Sequence, residues 1–396
     1  MTRQGDNVKH TIGKLLAACV FAAGGLGAAQ AQDLKVGMIL PLSGPFASTG
    51  QQMVNGAKLY LKEHGDTVAG RRIVLIDKDD TGVSPSISKR QAQTLLIQDK
   101  AEILAGFGLT PGAFSVAPLA TEAKVPMVVM NAATSSITEK SPYIVRTSMT
   151  LPQVAAPMAS WAAANGIRKV YVAVADYGPG HDAAAQFKKT FTAAGGEVVG
   201  EVHTPLTSPD FAPFLQKIKD ARPDAIFLFV PNGEQGVAFA KSYKERALAD
   251  AGIRLLATGD VVTEDVLAAM GDNALGMITS FHYSQAHDSP ENKAFVEAYA
   301  RAYPGTRPNM VAVAAYDGMR LIREALEKTQ GDAGGDAFMA AVKGMKWTSP
   351  RGPVEIDPQT RDIVQNVYIR KVEKVDGVLQ NVEFATVEAV KDPGKM

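Results

Sequence analysis

Short apolar runs alternate along the chain with stretches whose apolar positions recur every three or four residues. A continuous apolar run bounded by glycine, proline or small polar residues predicts a buried strand. Apolar positions that recur every three or four residues predict a helix. Predicted strands lie at 34–40, 72–77, 103–105, 125–130, 143–147, 169–175, 197–203, 225–230, 254–257 and 277–281. Predicted helices lie between most of them, for example at 51–63, 84–98 and 151–164. Continuous apolar strands alternating with helices are typical of a parallel sheet covered on both faces.

This strand–helix series runs through the chain twice. The first series ends near residue 147, and the second begins with the helix at 151–164. Two further helices, at 291–303 and 310–328, and two late strands, at 364–374 and 378–388, complete the pattern. A single core rarely grows past about 250–300 residues, and the chain has 396. The predicted fold class is therefore α/β, with two doubly wound lobes.

The first 31 residues differ in kind from the rest. A basic start that includes Arg3 and Lys14 precedes a Gly- and Ala-rich apolar run, which ends at Ala29-Gln30-Ala31. This order predicts a secretory signal peptide over 1–31, which we leave out of the fold. Cys19 lies in a lipoprotein-like box, but only four residues separate it from Lys14, so lipid anchoring at Cys19 is not favoured.

Composition then narrows the class of protein. The chain is 46% apolar and 21% charged, with a formal net charge of zero, and it has no basic stripe with interleaved aromatics. Nucleic acid is therefore not an expected partner. The one cysteine is Cys19, so the processed chain would lack disulfides, thiolate metal sites and cysteine nucleophiles. A secreted protein of two lobes without disulfides fits a bacterial periplasm.

Two polar loops follow neighbouring predicted strands, at 108–112 and 131–136. Ligands of such sheets bind beyond the carboxyl ends of the strands. The hydroxyl and N–H groups of these loops could therefore receive a small anion. The alternative is that their Thr and Ser residues only cap the helices that follow.

Several short motifs together resemble the type I periplasmic solute-binding proteins of the leucine/isoleucine/valine-binding family, which serve ABC importers. The motifs are Ile39-Leu40-Pro41-Leu42-Ser43-Gly44-Pro45, Asp79-Asp80, the loop around Thr110, Asn131-Ala132-Ala133-Thr134, Asp176-Tyr177-Gly178-Pro179-Gly180 and Ala315-Tyr316-Asp317-Gly318. The resemblance implies two lobes joined by three crossovers, with the ligand in the cleft between them. Expected ranges are 32–148 plus 281–352 for lobe 1 and 149–280 plus 353–396 for lobe 2.

The resemblance also implies which residues bind the ligand. Thr110, and Ala133 with Thr134 or Ser135, match the positions that bind the carboxylate of the ligand in the family. Tyr177 matches an aromatic residue that closes over the ligand from lobe 2.

Four further residues are expected at the cleft, and some of them differ from the residue types that relatives carry there. Ser43, Phe46 and Thr49 lie on the first loop, where relatives often carry an aromatic in place of Thr49, and Phe46 could substitute for it. Asn232 also stands where relatives carry an aromatic.

Asp260 is the position that says most about the chemical identity of the ligand. Some amino-acid-binding relatives place an acidic residue there that pairs with the α-ammonium group. The alternative is that Asp260 caps the helix predicted at 263–270 or lies in a turn. An Asp260 that faces the cleft fits an amino acid, and one that faces away fits a carboxylate without an amine equally well.

Other chemistry is not indicated. The spacing of Gly106, Gly108 and Gly112 is GxGxxxG rather than a dinucleotide fingerprint. The histidines show no metal-binding spacing, and no GxSxG elbow is present. We therefore expect no cofactor, no metal and no enzyme activity.

The sequence thus predicts a periplasmic binding protein that captures a small carboxylated solute by hinge closure and delivers it to the membrane permease of an ABC importer. A branched-chain or other neutral amino acid is the first choice of ligand, and an aromatic or aliphatic carboxylate is the second. We expect a monomer, and a ligand sensor is the alternative to a transport component.

Overall fold

A computed structural model describes residues 32–207 and 209–396. The predicted signal peptide, with Cys19, lies outside the described residues. The strands are β1 Gln32–Leu40, β2 Thr67–Val68, β3 Arg71–Asp79, β4 Ile103–Gly106, β5 Met127–Val129, β6 Ile144–Arg146, β7 Lys169–Ala175, β8 Glu197–Thr204, β9 Ala225–Phe229, β10 Arg254–Thr258, β11 Ile278–Phe281, β12 Lys346–Ser349, β13 Gly352–Ile356, β14 Ile363–Val375 and β15 Val378–Val390. The α-helices are α1 Ala47–His64, α2 Pro85–Thr94, α3 Thr110–Ala123, α4 Leu151–Ala164, α5 Gly178–Ala193, α6 Ala212–Ala221, α7 Glu234–Glu245, α8 Leu267–Met270, α9 Pro290–Ala302, α10 Met310–Lys328 and α11 Gly335–Val342.

The first sheet has six strands in the order β2-β3-β1-β4-β5-β6. All neighbours are parallel except the short edge pair β2 and β3. Successive residues of β1 such as Met38 and Ile39 point to opposite faces, yet both are fully buried. Helices on both faces explain why these strands read as continuous apolar runs.

The second sheet has nine strands. Its parallel part runs β8-β7-β9-β10-β11, and β12, β13, β14 and β15 join it in antiparallel pairs beside β11. The carboxyl ends of β7, β9 and β10 therefore meet at one edge, as those of β4 and β5 do in the first sheet. These two edges position the candidate site.

The chain passes between the two sheets three times: between β6 and α4, between β11 and α9, and between α11 and β12. Asp317 of α10 accepts hydrogen bonds from Trp347 Nε1 at 2.8 Å, Ser349 Oγ at 2.7 Å and Arg351 Nη2 at 2.7 Å. Arg351 is itself buried and donates to the carbonyl of Ser148 in the first connection at 3.1 Å. The connections are thus joined to one another by a buried charge pair.

The predicted fold class, two doubly wound α/β lobes, is confirmed, and the predicted strands and long helices form within a few residues of their expected ends. The sequence pattern missed the short strands β2, β12 and β13 and the helix α11. The strand β12 lies in the range expected for lobe 1, but it pairs with β13 and so belongs to the second sheet. The residue ranges of the two lobes stay a prediction. Among the described residues, no helix has the length and hydropathy needed to cross a bilayer.

Candidate functional site: a cleft between the two sheets

A cavity lies between the facing edges of the two sheets. About 300 Å³ there is not filled by protein atoms when space open to solvent is counted, but the part that a water-sized molecule can occupy is only about 20 Å³, room for about one water molecule. Residues that follow β4, β5, β7, β9 and β10 contribute to it, together with two residues from the connection into α4. The lining residues are Gly108, Leu109, Thr110, Asn131, Ala132, Ala133, Met149, Leu151, Tyr177, Pro179, Phe229, Pro231, Asn232 and Asp260.

The first-sheet side of the cavity presents hydroxyl groups and a helix N-terminus. Thr110 is the first residue of α3, and its Oγ1 lies 2.9 Å from Oγ1 of Thr134 in the loop after β5. Both residues are buried. Neither hydroxyl caps a helix, since neither α3 nor the short 3-10 helix after Thr134 has a side-chain cap bond. A helix N-terminus favours a negative charge, so this side of the cavity suits a carboxylate.

A buried arginine holds the second polar loop in place. Arg146, at the end of β6, donates to the carbonyl oxygens of Ala132 at 3.1 Å, Thr134 at 2.8 Å and Ser135 at 3.1 Å. Its charge is matched by Asp362 at 2.8 Å. Because these carbonyl oxygens accept hydrogen bonds from the guanidinium, their partial negative charge is compensated and repels an anion in the cavity less.

Aromatic rings form part of the second-sheet side. Tyr177, after β7, stacks on Phe229 at the end of β9, with ring centroids 6.0 Å apart and an angle of 19° between the ring planes. Burial, and after it the neighbouring carboxyl of Asp260, raises the pKa of the Tyr177 phenol well above its ordinary value. The phenol is therefore neutral, and the ring offers a flat apolar wall.

Asp260 lies in the cavity wall, in the short 3-10 helix Gly259–Val262 that follows β10. It does not cap the next helix, which begins at Leu267 with Val266 as its N-cap. Burial raises the pKa of its carboxyl to about 7, and the neighbouring hydroxyl of Thr258 and then the charge of Arg370 only partly oppose this. Its Oδ2 has no hydrogen-bond partner among residues 32–207 and 209–396. A buried, unpaired carboxyl oxygen at a cavity wall is positioned to bond a polar group of a ligand.

Hydrogen bonds cross the cleft and hold it closed in this structure. Asn232 Nδ2 donates to Thr49 Oγ1 at 2.8 Å, and Ser48 Oγ donates to Asp265 Oδ2 at 2.7 Å. Gly178 approaches Thr134 so closely that a Cβ there would lie 2.5 Å from the Thr134 hydroxyl. Glycine at this position allows the close approach of the two sides.

Of the ten residues predicted for the site, five line the cavity: Thr110, Ala133, Tyr177, Asn232 and Asp260. Thr49 and Thr134 bond directly to lining residues. Their roles toward a ligand stay a prediction.

The other three predicted residues lie off the cavity. Ser43 is exposed. Phe46 is buried near Gly82 and so does not replace an aromatic at position 49 in the cavity wall. The hydroxyl of Ser135 donates to Asp392, while its backbone N–H donates to Asp182 at 2.7 Å. The side chain of Ser135 is therefore engaged outside the cavity.

Several residues that line the cavity or support it were not expected from the sequence. Phe229 and Pro231 stand at a strand end, the same signal that identified Asp260, and could have been found by it. Met149 and Leu151 come from the connection into α4, whose path depends on the packing of the whole molecule. Arg146 could also have been identified from the sequence, because a charged residue inside an apolar strand needs a buried partner.

The fold and the cleft together define a binding protein with two α/β lobes and a ligand site between them. The chain belongs to the periplasmic binding protein family, whose model matches residues 33–377. It is similar to the Leu/Ile/Val-binding protein homolog 6 of Brucella melitensis, with 46% identity over 96% of this chain and 98% of that protein.

Two solved structures have the same fold. A solute-binding protein of an ABC transporter from Rhodopseudomonas palustris BisB5, in complex with 3,4-dihydroxybenzoic acid, is 58% identical with a TM-score of 0.89. Its counterpart from Rhodopseudomonas palustris HaA2, in complex with p-hydroxybenzoic acid, is 50% identical with a TM-score of 0.89. Each comparison covers 92% of this chain and 99% of the other. This chain is a periplasmic binding protein of an ABC transporter, and the family and these neighbours are solute-binding proteins.

Proposed function

We propose that this protein binds an aromatic carboxylate of the hydroxybenzoate type and delivers it to the membrane permease of an ABC importer. The main support for the proposal is the similarity to two Rhodopseudomonas solute-binding proteins, 58% and 50% identical, whose structures are in complex with hydroxylated benzoic acids. The cavity fits such a ligand, because the buried carboxyl of Asp260 shares it with Thr110 and an aromatic wall. A hydroxybenzoate has matching features, namely a carboxylate at one end, a flat ring and a hydroxyl group at the other end.

The carboxylate would lie against the hydroxyl groups of Thr110 and Thr134 at the N-terminus of α3. The two hydroxyl groups are hydrogen-bonded to each other at 2.9 Å, so one O–H is left to donate to the carboxylate. A hydrogen bond to a charged group contributes roughly 1.5–3 kcal/mol, and the N-terminus of α3 would add to it. The ring would pack against Tyr177 and Phe229, whose stacked arrangement leaves an apolar surface facing the cavity.

The hydroxyl group would bond to Asp260. An ionised carboxylate accepts a hydrogen bond from a phenol, and a protonated carboxyl group can also donate one. With a pKa of about 7, Asp260 suits a neutral partner, because a bound hydroxyl group satisfies it in either form. The two Rhodopseudomonas relatives, which are in complex with hydroxylated benzoic acids, support a hydroxylated benzoate as the ligand.

Closure of the cleft would couple binding to delivery. The ligand would contact the first sheet through Thr110 and the second through Tyr177 and Asp260, so only the closed form makes all of its contacts. A ligand shifts a two-state equilibrium by its difference in affinity for the two states. The permease would then bind the closed form.

A neutral amino acid is the second candidate, and Asp260 supports it as well. An α-ammonium group beside Asp260 would form a charge-assisted hydrogen bond, and it would need the carboxyl group ionised. The Brucella relative is named for leucine, isoleucine and valine binding, which agrees with this alternative.

Calorimetric titrations with 4-hydroxybenzoate and with benzoate test the role of Asp260. We expect the wild type to bind 4-hydroxybenzoate more tightly, by roughly 0.5–1.5 kcal/mol for the added hydrogen bond. Asp260→Ala should remove this difference, because the hydroxyl group loses its partner. If the difference between the two ligands is the same in the variant and in the wild type, Asp260 does not bind the hydroxyl group.

A further inference from the structure

Beside the cleft, on the solvent side of the second sheet, three residues of metal-binding type come together. They are Asp176, which follows β7, His181 in the first turn of α5, and His203 in β8. Their donor atoms all lie within 4.8 Å of one another. The two histidines are far apart in the sequence, so no spacing motif could reveal them.

The two distances to Asp176 lie on either side of the separation that a small divalent ion needs. His181 Nε2 lies 2.9 Å from Asp176 Oδ1, and His203 Nδ1 lies 3.6 Å from the same oxygen. A tetrahedral ion with bonds of about 2.0–2.1 Å needs donors separated by roughly 3.3 Å. A small rotation of exposed side chains would bring all three donors to that separation.

The backbone fixes the three residues with respect to one another. The N–H of Asp176 donates to the carbonyl of Thr204 at 2.8 Å, which places it beside the end of β8. The N–H of His181 donates to the carbonyl of Tyr177 at 3.1 Å, which closes the first turn of α5. The site therefore needs no backbone rearrangement.

A second carboxylate orients one of the histidines. Glu201 Oε1 lies 2.6 Å from His203 Nε2, and Glu201 is held in turn by Lys188. A carboxylate bonded to the far nitrogen of a metal-binding histidine fixes the ring and its tautomer, and is typical of such sites. With Nε2 engaged by Glu201, Nδ1 of His203 is the nitrogen that faces Asp176 and His181.

We propose that Asp176, His181 and His203 form a binding site for a divalent transition metal of the zinc class. Two imidazoles and one carboxylate are the donors that such ions prefer, while Mg²⁺ and Ca²⁺ prefer oxygen donors alone. The side chains are 60%, 52% and 35% exposed, so the fourth position is open to water. This proposal is independent of the ligand in the cleft.

Titration of the tag-free chain with Zn²⁺ tests the proposal, with Co²⁺ as a coloured probe of geometry. We expect one equivalent of Zn²⁺ to bind, and Co²⁺ to give the visible absorption of a four-coordinate site. His181→Ala and His203→Ala should each lose at least tenfold in affinity. Glu201→Gln should lose roughly 10–100-fold, as for other residues that orient a ligand.

His64→Ala is the matched control, because His64 is a surface histidine that is hydrogen-bonded to Tyr316 of α10, away from the three proposed ligands. Its affinity for Zn²⁺ should equal that of the wild type. Circular dichroism checks that the variants are folded. Absence of Zn²⁺ and Co²⁺ binding in the wild type, or equal affinity in the His181→Ala/His203→Ala double variant, would overturn the proposal. Unchanged affinity in Glu201→Gln would overturn the orienting role of Glu201.

Discussion

Replacement of Asp260 by asparagine should change how the stability of the unliganded protein depends on pH. Burial raises the pKa of this carboxyl from 3.8 to about 7. In the unfolded chain the group ionises near its ordinary value, so between these two pH values the folded state binds more protons. Stability due to this group is therefore full below about pH 4 and is lost as the pH rises through about 7.

The size of the effect follows from the shift. Roughly three pKa units correspond to about 4 kcal/mol in total, at 1.36 kcal/mol per unit. The part lost between pH 5 and pH 8 is roughly 2–3 kcal/mol. Asparagine does not titrate, so Asp260→Asn should gain about this much in unfolding free energy relative to the wild type over the same interval.

Urea unfolding of both proteins at pH 5, 6, 7 and 8, without ligand, measures the difference. Asp376→Asn is the control, because Asp376 is exposed in the folded protein and its curve should run parallel to that of the wild type. Parallel curves for wild type and Asp260→Asn would contradict this expectation, since the Asp260 carboxyl group would then be open to water in the unliganded protein instead of buried as it is in the closed cleft.

Three other substitutions probe separate parts of the account. Thr110→Ala should weaken binding of a carboxylate by roughly 1–3 kcal/mol in calorimetry, because an acceptor loses its donor, whereas Thr110→Ser should retain most of the affinity; equal affinity in Thr110→Ala would remove this hydroxyl group from the site. Tyr177→Ala should weaken binding of an aromatic ligand by about 1 kcal/mol or more, and Tyr177→Phe should bind as the wild type does, because the stacked ring carries the contact; a Tyr177→Phe variant as weak as Tyr177→Ala would show that the hydroxyl group matters instead. Asp317→Ala should lower the unfolding free energy by roughly 3–5 kcal/mol in urea titrations, because Arg351 is left charged and buried; a loss below about 1 kcal/mol, the size expected for an exposed pair, would contradict this interpretation.

The sequence predicted which residues line the cavity where strand ends determine their position. The carboxyl ends of neighbouring parallel strands must share an edge, so the strand pattern and the family resemblance were enough to assign loops as distant in sequence as those of Thr110 and Asp260 to one cleft. Asp260 is the clearest case, because the same residue could have capped a helix and instead lines the cavity.

Residues whose place depends on packing between elements could not be predicted. Phe46 looked able to replace an aromatic at position 49, but the turn that precedes α1 directs it toward Gly82. The strand β12 is too short and too polar to be recognised by pattern, and only its pairing with β13 places it. His181 and His203 become neighbours through the parallel pairing of β7 with β8, which no local motif records.

A direct comparison of 4-hydroxybenzoate with leucine tests whether the cleft accepts a hydroxylated aromatic carboxylate. Each compound is titrated into ligand-free protein in a calorimeter under the same conditions. We expect saturable binding of one molecule of 4-hydroxybenzoate per chain, with a higher affinity than that of leucine. Equal or tighter binding of leucine would show that the cleft is not selective for a hydroxylated aromatic carboxylate.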